Sequence, residues 1–348
     1  MTTKRFGMLL MFVIALLLIW NLGRKFPRQH VQAEGKSALL RTVAEIPLPG
    51  PAVRFDYQSF DETSGRLYIA HMNADQLVVF DTEKRSVVAN LDGFKRVHGV
   101  IAVPEMDRVY ASVTGEHRVA VVDRKTLQAV ASVGPINYPD GLAFAPKVRR
   151  VFVSDEHGDV DAVIDAETNT LLRKIPLGGE AGNTVCEEEN GRILVAVHGK
   201  NELVTIDPEK LEITQHTSLP GIEDPHGIAL DQENHLAFVA GEGNNQLAIV
   251  DLRTMQVIGK LPVGKDPDVL AFDAGSKRLY VSAESGQVTV FRESGRALVP
   301  EGRIDIPHAH TVSVDPKTHL IYFPLENING KPILRIMEWA GEGSHAAN

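Results

Sequence analysis

Residues 97–133 read VHGVIAVPEMDRVYASVTGEHRVAVVDRKTLQAVASV, in which four short apolar runs, VHGVIAV, RVYASV, RVAVVD and QAVASV, are separated by turn residues. Runs of this length, β-branched and aromatic with turns every 8 to 12 residues or so, predict a four-stranded antiparallel unit. The unit recurs. Tyr110, central in the second run, has counterparts in Tyr68, Phe152, Leu194, Phe238, Tyr280 and Tyr322, and the successive spacings are 42, 42, 42, 44, 42 and 42 residues. Two more columns keep phase with it. Asp81, Asp123, Asp165, Asp207 and Asp251 follow it by 13 residues and Arg292 by 12, while Asp56, His98, Asp140, Gly182, His226, Asp268 and His310 precede it by 12. The two extra residues of the longer spacing fall within SLPGIEDP, between Asp207 and His226, and so in a loop.

Seven repeats of a four-stranded unit of about 40 to 45 residues predict an all-β, seven-bladed propeller, here over residues 39–338. The seventh repeat supplies TVSVD, LIYFP and PILRIM but no fourth strand. The missing strand is expected at the other end of the chain, where LLRTVAEIPLPG (39–50) resembles TLLRKIPLGG of the third repeat and QVIGKLPVG of the fifth. Such closure leaves no free sheet edge and fits a monomer. Residues 339–348 are expected to be a disordered tail. Small residues (Ser59, Ala143, Ala229, Ala271, Ser313) alternate with Phe60, Phe144, Leu230 and Phe272 in the first strands, as crowding near an axis would require. Cys186 stands in the column of Phe144, Leu230 and Phe272, and is read as a core residue.

The opening P-[DH]-G-[IL]-A of YPDGLAFA and PHGIALD, the RLYVS-type strand and the V-x-V-[IV]-D ending resemble the YVTN or YncE-like family of seven-bladed propellers over residues 39–338. That resemblance implies the fold but no single function, because the fold hosts binding proteins and enzymes alike. The opening motif is also similar to gluconolactonase-type and streptogramin-lyase-type propellers, which implies a site at the channel mouth with a divalent metal. This chain departs from both in showing no single obvious set of catalytic ligands, so no catalytic residue is assigned.

Residues 1–33 carry Lys4, Arg5, Arg24, Lys25 and Arg28 and no acid, a charge of +5 that leaves −14 on the remainder. An acidic body disfavours nucleic-acid partners, which need a basic face. The lone Cys186 excludes an intrachain disulfide and covalent haem attachment, and no P-loop or G-x-G-x-x-G suggests a nucleotide. From Phe6 to Gly23 the chain is uncharged and flanked by cations. As a helix it would reach about 27 Å, just enough for a hydrocarbon core of roughly 30 Å. Residues 1–23 therefore read as a membrane anchor or a signal segment, with Val31-Gln32-Ala33 as the cleavage alternative, residues 24–38 as a linker, and the propeller as extracytoplasmic.

Four-stranded antiparallel blades bring the start of the first strand and the loop after the second to one face. The first set gives Asp56, His98, Asp140, His226, Asp268 and His310; the second gives Glu156, His198, Glu242, Glu284 and Glu326. Of 13 histidines, His71, His98, His117, His157, His198, His226, His308 and His310 fall in these loops. Imidazoles with carboxylates are ligands for Zn, Mn, Fe or Ni, and carboxylates with water suit Ca or Mg. His98, Asp140, His198, His226, Glu242, Asp268, Glu284 and His310 are thus candidate ligands for one divalent ion, against the alternative that Asp and His here only cap turns. The expected function is binding of a ligand, ion or partner protein at the channel mouth, with a metal-dependent lactonase or lyase as the alternative. The Asp column from Asp81 to Asp251 reads as turn chemistry on the opposite face.

Overall fold

The computed structural model describes residues 39–341, so the apolar segment, the linker and residues 342–348 lie outside the described residues. Among the described residues no helix is long and apolar enough to cross a membrane. They form seven four-stranded antiparallel sheets, each ordered from an inner to an outer strand. In the second blade the strands are Val97–Val103, Arg108–Val113, Arg118–Asp123 and Ala129–Val133, which match the four runs that set the repeat.

Burial follows position in the blade. Middle strands such as Arg108–Val113 are buried almost throughout, whereas the outer strand Gln256–Pro262 alternates exposed and half-buried residues. A sheet covered on both faces needs apolar residues on both, and an edge strand facing water needs them on one. The column of Tyr68, Tyr110, Phe152, Leu194, Phe238, Tyr280 and Tyr322 is fully buried between neighbouring blades. Nearest the axis the chains almost touch. A Cβ on Gly99 would lie 1.9 Å from the Asp140 carbonyl oxygen of the next blade, and one on Gly227 would lie 2.0 Å from that of Asp268. Only glycine fits at either place.

The ring closes through the first strand. Leu40–Pro47 pairs antiparallel with Lys331–Trp339, from Leu40 opposite Trp339 to Pro47 opposite Ile333, and completes the sheet that holds Ser313–Val314 and Ile321–Ile328. The Arg278 guanidinium lies 4.0 Å from the Trp339 ring and secures the end of that sheet to the sixth blade.

On the face opposite the candidate site the Asp column makes turns. Asp123 Oδ1 accepts the backbone N–H groups of Lys125 and Thr126 at 3.0 and 2.8 Å, and Asp165 and Asp207 do the same in the next two blades. These hydrogen bonds hold all three carboxyls below the usual range. Cys186 is half-buried and packs against the core between the third and fourth blades. Burial, with Glu188 and Glu187 nearby, pushes its thiol up to about 12, which keeps it un-ionised and inert.

One core position breaks the repeat. The second residue of the third strand is Leu77, Val119, Leu203, Leu247 and Val288 in five blades but Asp161 in the third. Asp161 is fully buried, its Oδ1 accepts the Val153 N–H at 3.2 Å, and the Thr184 hydroxyl is its other neighbouring donor. Burial pushes its carboxyl up to about 7. An acid raised in the folded state loses its contribution to stability as pH rises from about 4, where the unfolded side chain ionises, through about 7. Replacement by Asn or Leu should therefore leave stability at pH 4 nearly unchanged and raise it at pH 8, by up to about 4 kcal/mol. Denaturant titrations of wild type and both variants across that range check this, and parallel pH curves would contradict it. Deleting Leu40–Pro47 should lower the thermal midpoint by about 10 °C or more, or prevent folding, because it exposes a long unpaired edge. An unchanged midpoint in a melting experiment would show that the closing strand is dispensable.

Candidate functional site: the axial mouth

Each inner strand begins at the same end of the channel, so residues at or just before its start are carried to the axis: second in Val97–Val103, Pro139–Ala145, Pro225–Asp231 and Pro267–Asp273, and ahead of Gln58–Asp61 and Ser313–Val314. Asp56, His98, Asp140, His226, Asp268 and His310 form a buried ring there, with Gly182 in the fourth blade's place. The loop after each second strand adds a second ring, of which Glu156, Glu242 and Glu284 line the same cavity of about 260 Å³. Tyr57 also lines the central channel below, a space of about 330 Å³ walled by inner-strand residues, and thus floors the mouth. The equivalent residues in three other blades are Gly99, Gly141 and Gly227.

Three groups of donors converge among the described residues; one, Glu156, His157 and Glu180, is half-buried to exposed, and the other two lie deeper. The donor atoms of His198, His226 and Glu242 lie within 4.8 Å of one another, and so do those of Asp56, Asp268 and His310. In the first group His198 Nε2 is 3.1 Å from His226 Nδ1, which is 4.0 Å from Glu242 Oε1. The other ring nitrogen of His226 is 3.0 Å from the Tyr57 hydroxyl and 3.7 Å from Asp268 Oδ1. His198 reaches this position because the fourth blade has histidine where four others have glutamate, and glycine where the others have Asp or His. In the second group His310 Nδ1 is 3.0 Å from Asp268 Oδ2. Arg54 already serves this group: its guanidinium is 3.3 Å from His310 Nδ1 and 3.8 Å from Asp268, and it donates to both Glu284 oxygens at 3.0 and 2.6 Å.

The remaining candidates are placed differently. His98 lines the mouth, but its Nδ1 is 2.7 Å from the Arg96 carbonyl and its Nε2 is 3.2 Å from the Tyr138 hydroxyl. Both nitrogens are occupied within the protein. Asp140 supplies a buried carboxyl to the wall. Glu284 belongs to Arg54, and Glu326 pairs with His308 at 2.9 Å. His71 is buried and stacked on Phe55 with ring centroids 4.0 Å apart, a core histidine. Arg54, Tyr57, Arg96 and Tyr138 were not among the candidates. The column two residues before the inner ring, reading Arg54, Arg96, Tyr138, Glu180, Asp224, Asp266 and His308, carries the signal that would have found three of them.

Electrostatics separates the imidazoles. Burial would lower His226, but the carboxylates of Glu242, Asp268, Asp140 and Glu156 outweigh it and lift its pKa to about 9. Burial holds His198 and His98 down to about 4. Burial raises Asp56 and Glu242 to about 7, with the charge of Asp268 adding to both, and it raises Asp140 well above its usual range. Asp268 is the carboxyl held low, because burial is overcome by the His310 hydrogen bond and by the charges of His310, His226 and Arg54. The wall thus carries more negative charge than its fixed cations offset, and His226 takes up a proton in response.

Fold and mouth together define a seven-bladed β-propeller with a titratable axial cavity. No family model matches the chain. It is 24% identical over 197 residues to protein NirF of Stutzerimonas stutzeri, covering 52% of this chain and 50% of that protein. It is 22% identical over 194 residues to the uncharacterized protein YncE of Salmonella typhimurium, covering 53% of each. The matches thus span about half the length of these curated relatives. Among solved structures, virginiamycin B lyase from Staphylococcus aureus superposes with a TM-score of 0.71 at 13% identity, covering 85% of this chain and 99% of that one, which shows the shared fold. The chain is thus a seven-bladed β-propeller with distant sequence similarity to NirF and YncE.

Replacing Glu242 by Gln removes the largest of the charges that raise His226. The His226 imidazole of the variant should titrate about a unit or more below that of wild type. An NMR titration of the ring resonances reads this directly, and coincident titration curves would refute it.

Proposed function

We propose that this chain is a binding propeller whose mouth holds a divalent transition-metal ion at His198, His226 and Glu242. The observation that carries the reading is the contrast between these two donor groups: Arg54 pairs with the group of Asp56, Asp268 and His310, whereas among the described residues no Lys or Arg forms an ion pair with His198, His226 or Glu242, although Lys200 lines the same outer pocket. Two imidazoles and a carboxylate are a donor set for Zn, Fe, Mn, Co or Ni rather than for Ca or Mg. His198 is held neutral and presents a lone pair, and a dication would displace the proton from His226.

Cobalt or zinc should bind the full-length protein at one equivalent, and His198→Ala with His226→Ala should abolish that binding. Asp81→Asn with Asp123→Asn, on the turn face, should leave it unchanged. At 100-fold excess over the dissociation constant the metal should stabilise wild type by about 2.7 kcal/mol and the double alanine variant not at all. Elemental analysis and thermal melts report both, and equal metal content in the two double variants would remove the assignment. Apparent affinity should rise with pH between 6 and 8, by about tenfold per unit for each proton displaced, since His226 is protonated below about 9. A flat profile would argue against His226 as a ligand. Turnover of a lactone panel by the metal-loaded protein would make it an enzyme instead.

We further propose an extracytoplasmic, membrane-tethered location, supported by the uncharged run from Phe6 to Gly23 and its flanking cations. The full-length protein should fractionate with membranes and keep its N-terminus. Recovery of a soluble form beginning near Glu34 would replace the anchor with a cleaved signal.

A further inference from the structure

We propose that Arg96 is a pre-oriented anion-binding guanidinium, and that the ligand of the mouth is a small carboxylate-bearing molecule lying between Arg96 and the metal group. The metal end of this arrangement rests on the function proposed above; the anion end stands on its own observations.

The first is the inventory of cations around the mouth. Arg54 and Arg96 both line the cavity. Arg54 is committed to Glu284, Asp268 and His310. Arg96 has no carboxylate partner among the described residues, and its guanidinium touches only Tyr138, at 3.3 Å from the hydroxyl and 5.9 Å from the ring centre.

The second is a closed circuit of hydrogen bonds. The His98 Nδ1–H donates to the Arg96 carbonyl at 2.7 Å, which leaves Nε2 as an acceptor. The Tyr138 hydroxyl donates to that Nε2 at 3.2 Å and accepts from Arg96 at 3.3 Å. Burial keeps His98 neutral, as the circuit requires. The backbone of Arg96 is also pinned through its N–H, which donates to Asp75 Oδ1 at 2.8 Å. One guanidinium N–H is used in holding the group in place and the others remain available, so the ordering that binding would otherwise demand is done in advance. Arg96 has φ of 48°, and Asp224 and Asp266 repeat this left-handed turn at 48° and 54°. The fold sets the position, and the side chain alone distinguishes this blade.

The third is the polarity of the rim. Arginine occupies this column in the first two blades, and Glu180, Asp224 and Asp266 occupy it in the fourth to sixth, beside His198 and Glu242, with Lys200 lining the same outer pocket and Lys265 pairing with Asp266 at 2.9 Å. A ligand with an anionic group is repelled by the acidic arc and directed to Arg96, while a bound dication would hold its other end. The planar fork of arginine matches a carboxylate in two parallel hydrogen bonds. A mouth of about 260 Å³ lies below the roughly 300–1,000 Å³ of drug-sized pockets, which limits the ligand to a small acid.

Calorimetric titration of the cobalt-loaded full chain with malonate tests this, with inorganic phosphate as the second probe. Malonate should bind saturably and Arg96→Asn, which tolerates the left-handed turn, should weaken it at least about tenfold without changing cobalt content. Arg96→Lys should be intermediate. Tyr138→Phe keeps the ring and removes the hydroxyl, and should weaken binding a few-fold. Equal affinity in wild type and Arg96→Asn would overturn the proposal, as would the absence of saturable binding of either anion. Arg96-dependent binding of phosphate without binding of malonate would overturn the carboxylate assignment. If the chain does not take up cobalt, the same titration on metal-free protein separates the two readings: Arg96-dependent malonate binding there upholds the anion site, and its absence rejects it.

Discussion

The pairing of Leu40–Pro47 with Lys331–Trp339 is the interaction on which the rest of the molecule depends. Two ends of the chain form one sheet, and the first blade is thereby brought against the last two. The mouth is built across that junction: Arg54 reaches Glu284, 230 residues away, and His310, 256 residues away. Without closure Arg54 would be parted from Glu284, Asp268 and His310, and Asp56 would not share a cavity with Asp268 and His310. The same closure removes the sheet edges that an open stack of blades would expose to other chains.

Convergence of the inner strands is the second constraint, and it is costly. Six residues capable of carrying charge are packed at the start of these strands, all of them buried. Like charges in a low-dielectric setting cannot all ionise, and the protein resolves this unevenly. Asp268 keeps its charge through His310 and Arg54, Asp56 and Asp140 tend to hold protons, and His226 gains one. Gly182 and His198 in the fourth blade and Asp161 in the core of the third depart from the repeat, as Met72 and Thr114 do in the first two.

Much of this was legible from residue order. The period of 42 residues counts the blades, the three phased columns assign strands, and the deficit in the seventh repeat identifies the closing strand. These features are local or periodic, and period is a property of sequence. The turn role of Asp123, Asp165 and Asp207 was equally readable, since the acceptor and its donors lie within three residues. The ring of Asp and His at the channel mouth followed from the same phase, because every blade presents the start of its inner strand to the axis.

What residue order could not supply is which members of that ring belong together. His98 and His226 stand in one column, yet one is closed in a circuit with Tyr138 and Arg96 while the other faces His198 and Glu242. Arg54 takes Glu284 out of the set of free carboxylates, and Arg96, in the same column, takes none. Nor does the sequence show that Tyr57 lines both the mouth and the channel below it. The physical reason is common to all three. The sequence by itself determined the period, and with it the height and direction of each side chain. Distances across the axis, and hence partners, protonation and free lone pairs, were decided only when seven blades met around one channel.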